Sequence, residues 1–329
     1  MPDCITVAAV ILGLTRRELD DGARLVREAV PPTPQYSWPL LNERAGTEVW
    51  VKHENHTATG AFKIRGGLVL AAEIRRRDPK AQGVISATRG NHGQSVAFAG
   101  RRHGLRSVIV VPHGNSREKN AAMRAWGAEL IEHGRDYDEA REHAHRLSKE
   151  QGLFYIGPFH RELVVGVGSY AMELFQGAPA LDEVYVPIGC GSGICGVIAW
   201  RDALGLRTRV VGVVSENAAC YALSFKAGKP VETNSAITFA DGVAVRVPVP
   251  EALEAIRAGA DRIVEVSDDE VKSAMRDFYR CTHNIAEGAG AAPLAALLKD
   301  KERKGSRFAV ILSGGNIDRE MYLEALAGA

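Results

Sequence analysis

The 329-residue chain has no Cys-x-x-Cys pair, and its five cysteines (Cys4, Cys190, Cys195, Cys220, Cys281) are odd in number and scattered. A disulfide framework or a zinc site is therefore not expected, and a reducing cytoplasm is the compartment that fits. Neither sign of charge is in excess: 41 basic residues face 40 acidic ones, a formal +1. Nucleic-acid and polybasic membrane surfaces both need clustered Lys and Arg, so neither partner is expected. Aromatic residues are only 6% of the chain, too few for a base-stacking platform. No stretch approaches the ~20 apolar residues of a membrane span. The apolar run Ile5–Leu12 is preceded by Asp3 and followed by Arg16 and Arg17, so it reads as a packed N-terminal segment and not as a leader.

What the chain has in plenty is glycine, 34 residues or about a tenth of its length against a usual ~7%. Hydrophobic residues at 46% provide for a sizeable core, and the length suggests two domains. Short apolar runs predict strands at Glu48–Lys52, Gly83–Ala87, Ser107–Val111, Glu129–Glu132, Val184–Ile188, Val210–Val214, Arg262–Val266 and Phe308–Leu312. Helical patterns intervene at Lys63–Arg77, His92–His103, Arg117–Trp126, Asp136–Gln151, Ser169–Phe175, Ile194–Ala203, Asp268–Cys281 and Arg319–Leu326. Several strands are apolar throughout, as strands covered on both faces are. The fold class is α/β with doubly wound, mostly parallel sheets. A boundary falls near residue 150, before the glycine-rich stretch Gly157–Gly168 opens a second set of units.

The glycines cluster after strands, where open parallel sheets bind ligands. Gly189, Gly191, Gly193 and Gly196 follow one strand, Gly90 and Gly93 another, and Gly314 and Gly315 the last. The run Gly189-Cys-Gly-Ser-Gly193 between strand and helix suits a phosphate cradle, although it equally suits a tight turn. Lys63, in Gly-Ala-Phe-Lys-Ile-Arg-Gly, reads as a desolvated amine poised for a Schiff base or as a surface lysine opening a helix. The turn Thr88-Arg-Gly-Asn-His92 offers N–H groups to a carboxylate; Asn91 could also be a plain helix cap, and His92 a structural histidine. Ser313-Gly-Gly-Asn316 ends the last strand with a hydroxyl. Amine, phosphate cradle, amide and hydroxyl beside strand ends together describe a site for pyridoxal phosphate.

In these motifs the chain resembles the second fold type of pyridoxal-phosphate enzymes, tryptophan synthase β-like, in its serine/threonine dehydratase branch. The likeness runs from Thr33-Pro34 to the last strand and includes Thr238–Arg246 and Glu287–Ala291. It implies two unequal domains, a smaller one over 48–150 and a larger one formed by 1–47 with 151–329. It implies that Lys63 carries the cofactor as a Schiff base with Phe62 beside the ring. Gly189, Cys190, Gly191, Ser192 and Gly193 would hold the phosphate, Asn91 the 3′-oxygen and Ser313 the pyridine nitrogen. Thr88, Arg89, Gly90, Asn91 and His92 would take the substrate carboxylate.

The implied reaction is dehydration and deamination of a β-hydroxy-α-amino acid of the L-threonine/L-serine type to a 2-oxo acid and ammonia. Other β-hydroxy amino acids (3-hydroxyaspartate or phenylserine), β-replacement, and a non-catalytic binding paralogue are the alternatives, and a homodimer or higher homo-oligomer is the assembly the resemblance implies. Ala61 replaces the serine usual before Phe-Lys. Arg89 stands where racemases of the branch have a serine base, so racemisation is not expected; it either meets a second carboxylate or faces solvent. Val214 stands at the glutamate position of the branch's cation site, and Cys220 near its aspartate position, so no metal is expected. The chain ends soon after the last strand, so feedback control by isoleucine is not expected.

Overall fold

A computed structural model describes residues 11–328. Cys4 and most of the apolar run Ile5–Leu12 lie outside the described residues. Ten strands form two sheets: β1 Gln35–Ser37, β2 Glu48–His53, β3 Gly83–Ala87, β4 Arg106–Val111, β5 Glu129–Glu132, β6 Phe154–Tyr155, β7 Glu183–Pro187, β8 Arg209–Ser215, β9 Arg262–Val266 and β10 Arg307–Leu312. The larger sheet has the order β1-β2-β10-β7-β8-β9 and the smaller β5-β4-β3-β6. Among the strands of the described residues only the β1–β2 pairing is antiparallel.

Alternation along each strand explains why helices cover both faces. In the larger sheet Val184 and Val186 of β7 pack with Ala309 and Ile311 against the helices Arg161–Gly177 and Ser192–Ala203. Tyr185, between them in sequence, points the other way with Val211, Val213 and Val310 toward Asp268–Thr282 and Gly288–Lys299. The smaller sheet repeats the pattern. Val84, Ile109 and Val111 meet Lys63–Arg77 and Asn91–Arg102, whereas Ile85, Val108 and Val110 meet Ala140 and Ala144 of Tyr137–Gln151.

Two strands shift the expected boundaries. β2, grouped by sequence with the smaller unit, pairs in parallel with β10 over six residues of the larger sheet. β6, beyond the expected break at 150, pairs with β3 in the smaller one. Strand patterning shows that a segment pairs, not with which neighbour, so neither assignment was readable from local residues. The stretch Gly157–Gly168 runs into the helix Arg161–Gly177, which begins earlier than the expected Ser169. Among the described residues no helix is long and apolar enough to cross a membrane.

Candidate active site

The four glycine-bearing loops meet at the carboxyl ends of β2, β3, β7 and β10. Lys63 is the first residue of its helix, and the loop before it is stitched to the loop after β10. Phe62 donates its backbone N–H to the Ser313 carbonyl (3.0 Å), and Gly315 donates to the Gly60 carbonyl (2.9 Å). An isolated antiparallel bridge joins Ala61 to Gly314. The lysine and hydroxyl motifs, 250 residues apart in sequence, are therefore one structural unit. A Cβ on Gly314 would lie 3.0 Å from that of Ala61 and 2.5 Å from Glu287 Oε1, so the bare backbone and the small Ala61 both serve close packing.

Lys63 is half-buried with its Nζ 4.9 Å from the centre of the Phe62 ring, which meets Tyr170 edge-on. Burial lowers the Lys63 pKa, and the nearby Cys190 and Glu287 only partly restore it. A neutral amine is the form that burial favours, and it is the nucleophilic one.

The loop 189–193 has the form a phosphate needs. Gly191, at φ +98°, turns the chain into the helix Ser192–Ala203; a Cβ there would lie 2.7 Å from that of Ala252. Two tyrosines hold the loop from behind by its carbonyls: Tyr170 donates to Gly193 O (3.1 Å) and Tyr221 to Cys190 O (3.2 Å). As the first residues of that helix, Ser192 and Gly193 have N–H groups without intrahelical acceptors, at its positive end. Phe62 lies 3.6 Å from where a Gly193 side chain would begin, so the loop and the lysine face the same space.

On the β3 side, Thr88 is buried and accepts from the Gly90 N–H (3.1 Å), while Arg89 is exposed. Between the two readings of Arg89, the structure has it facing solvent. His92 is pushed down to about 3, chiefly by burial, so its ring is neutral; its Nε2 is buried without a partner. Asn91 donates to Glu287 Oε1 (2.7 Å) and accepts from Asn316 Nδ2 (2.8 Å). Ser313 is buried at the end of β10. The lysine loop, the 189–193 loop, the Asn91 turn and the Ser313 strand end are thus linked by contacts, whereas Arg89 is exposed.

Three residues at the site were given no role by sequence reasoning: Lys119, Asp241 and Glu287. Glu287 precedes the helix Gly288–Lys299 and is buried, and its Oε2 has no partner. Burial raises its pKa to about 7, with Asp241 adding to the rise and Lys119, Asn91 and Lys63 opposing it. Asp241 and Glu287 lie in segments that the resemblance covered without assigning a function. Lys119, on an otherwise charged helix, carries no local signal.

At the expected cation site Val214 is a buried strand residue and the Cys220 thiol donates to the Val245 carbonyl (3.2 Å). Among the described residues no cluster of three or more His, Cys, Asp or Glu could hold a metal.

A half-buried lysine facing a phosphate-type cradle, its loop tied to the backbone carbonyl of the strand-ending Ser313, defines the class: an enzyme built for a phosphorylated carbonyl cofactor. The residues fit pyridoxal phosphate, since glycines line the space where side chains would intrude and Glu287 and His92 leave buried polar atoms unclaimed there. The chain belongs to the pyridoxal-phosphate dependent enzyme family, whose model matches residues 26–314.

It is 35% identical to a biosynthetic L-threonine dehydratase of Pasteurella multocida over 89% of its own length, spanning 58% of that protein. It is 32% identical to an L-threonine ammonia-lyase of Thermotoga maritima over 94% of its own length and 77% of the relative's. Among solved structures it is similar to threonine deaminase isoform 2 of Solanum lycopersicum, with a TM-score of 0.89 and 31% identity, covering 95% of this chain and 93% of that one. It is also similar to maize serine racemase, with a TM-score of 0.89, 26% identity and 97% of each chain covered.

Proposed function

We propose that the protein dehydrates and deaminates a β-hydroxy-α-amino acid of the L-threonine/L-serine type, releasing a 2-oxo acid and ammonia. The observation that carries this reading is the buried Lys63 amine facing the 189–193 cradle, with its loop paired to Ser313. The likeness to the Thermotoga maritima ammonia-lyase supports the substrate class.

Bound pyridoxal phosphate supplies a carbonyl that captures the substrate amine and a ring that accepts electrons from Cα. The N–H groups of Gly189–Gly193, with the helix behind them, hold the phosphate. Ser313 would offer its hydroxyl to the ring nitrogen, a neutral partner there in place of a carboxylate. Asn91, oriented by Asn316 and Glu287, offers its amide to the ring oxygen. The turn Thr88–His92 receives the carboxylate. Lys63, whose burial favours the free amine, takes the proton from substrate Cα.

A single assay tests the reading. The purified protein is supplied with L-threonine, L-serine, threo- and erythro-3-hydroxyaspartate and phenylserine, and 2-oxo acid release is followed. L-threonine or L-serine is the expected preference, because Arg89 is solvent-exposed and, among the described residues, has no ion-pair partner in the site. Lys63→Ala is expected to abolish both turnover and the visible absorbance band of lysine-bound cofactor. An unaltered band in Lys63→Ala would refute the assignment of Lys63, and fastest turnover of 3-hydroxyaspartate would refute the substrate class.

A further inference from the structure

Lys119 is the last residue one would place in water-free surroundings: its side chain is 8% exposed. It belongs to the helix Arg117–Ala125, whose Met123 packs in the core of the smaller sheet. From there its ammonium crosses to Asp241, in the short turn Asp241–Val243 beside the larger sheet, and forms an ion pair. Burial alone would lower the Lys119 pKa, yet the carboxylates of Asp241 and Glu287 reverse the effect and hold the charge on. An ammonium has three donors, and among the described residues only Asp241 takes one.

The path of the lysine stem explains a glycine. A Cβ on Gly90 would lie 2.6 Å from Lys119 Cδ and 3.5 Å from Nζ. The turn Thr88–His92 therefore lacks a side chain at its centre just where the Lys119 ammonium arrives. On its far side Asn91 holds Glu287, whose second oxygen is buried and unclaimed. A maintained buried cation with free donors, beside the first N–H groups of the helix that Asn91 begins, provides an anion site with a counter-charge.

Building on the dehydratase reading, we propose that Lys119 is a specificity-determining residue that contacts the substrate's α-carboxylate at the Thr88–His92 turn, tethered for that task by Asp241. The turn's N–H groups orient the carboxylate, and Lys119 supplies the charge that separates an amino acid from a simple amine. Asp241 is 30% exposed, so its carboxylate remains hydrated when the lysine is removed, and Glu287 can take up a proton. Lys119→Met should therefore fold.

The test uses the cofactor-loaded enzyme and two ligands that cannot lose a β-hydroxyl, L-alanine and L-alaninamide, titrated by the change in cofactor absorbance. The native protein should bind L-alanine more tightly than the amide. Lys119→Met should cut that preference about tenfold or more, the scale of one charge-assisted hydrogen bond. Lys119→Arg should restore most of it, and Lys119→Met should leave the amide's affinity unchanged. With L-serine the same variant should raise KM more than it lowers kcat.

Equal binding of acid and amide to the native protein, or an unchanged preference in Lys119→Met, would overturn the proposal, as would a lower affinity for both ligands alike. If the native protein dehydrates nothing yet shows the preference and loses it in Lys119→Met, the carboxylate contact stands and the dehydratase reading falls.

Discussion

Replacing Arg65 by Met should cost the protein about 3–5 kcal/mol of stability, the penalty for stranding buried charge. Arg65 lies two residues after Lys63, and its side chain is fully enclosed. It donates to Glu54 (2.7 and 2.9 Å), to Glu173 (2.9 and 2.9 Å) and to Ser169 (3.0 Å). Lys52 completes the group, donating to Glu173 (2.7 Å) and to the Thr33 carbonyl (2.9 Å). Two enclosed cations thus balance two carboxylates, and the more exposed Arg27 lies 3.6 Å from Glu173 at the edge of the group. Without Arg65, Glu173 keeps Lys52 and Arg27, but the enclosed Glu54 loses the guanidinium it is paired with.

Net stabilities of 5–15 kcal/mol make such a loss plain in a urea melt at pH 7. Arg65→Met combined with Glu54→Gln restores neutrality and should recover part of the loss, at unchanged denaturant slope. Because the network anchors the helix that Lys63 begins, the single variant should also hold the cofactor more weakly. A loss below about 1 kcal/mol, or a double variant no more stable than the single one, would refute the reasoning.

Glu287 sets a pH dependence of definite sign. Its folded pKa of about 7 lies above its ordinary value, so its contribution is complete below the unfolded pKa and is lost as pH rises through about 7. On the cofactor-free protein Glu287→Gln should remove up to about 3 kcal/mol of the stability decline between pH 4.5 and pH 7.5; identical declines in urea melts of both proteins would contradict this. Gly191→Ala places a side chain at φ +98° and against Ala252, a strain of about 1–3 kcal/mol. It should lower the melting temperature and weaken cofactor binding in an absorbance titration, and unchanged values of both would show that the turn tolerates a Cβ.

Much of the site was legible because its chemistry is local. Lys63, the 189–193 loop, the 88–92 turn and Ser313 each announce themselves by glycines after an apolar run, and each sits where that pattern places it. Elements with weak local signals were missed. The helix Gly288–Lys299 is apolar on every side, so it has no amphipathic face to read. The strands β1 and β6 have three and two residues, too short for a period to show. The helix Arg16–Arg27 was missed as well, although Thr15 and Glu18 form a capping box at its start.

By itself the sequence determined the parallel α/β class, the strand-end loops and the cofactor family, because these follow from patterns within short stretches of chain. Only the tertiary structure decided which loops share a space. It joined Ala61 to Gly314, gave β2 to the larger sheet, and brought Lys119, Asp241 and Glu287 around Gly90 and Asn91. Those contacts join positions 29 to 259 residues apart. A charge that far along the chain leaves no mark on its neighbours, and its role exists only once the sheets have brought it through the low-dielectric interior to its partners.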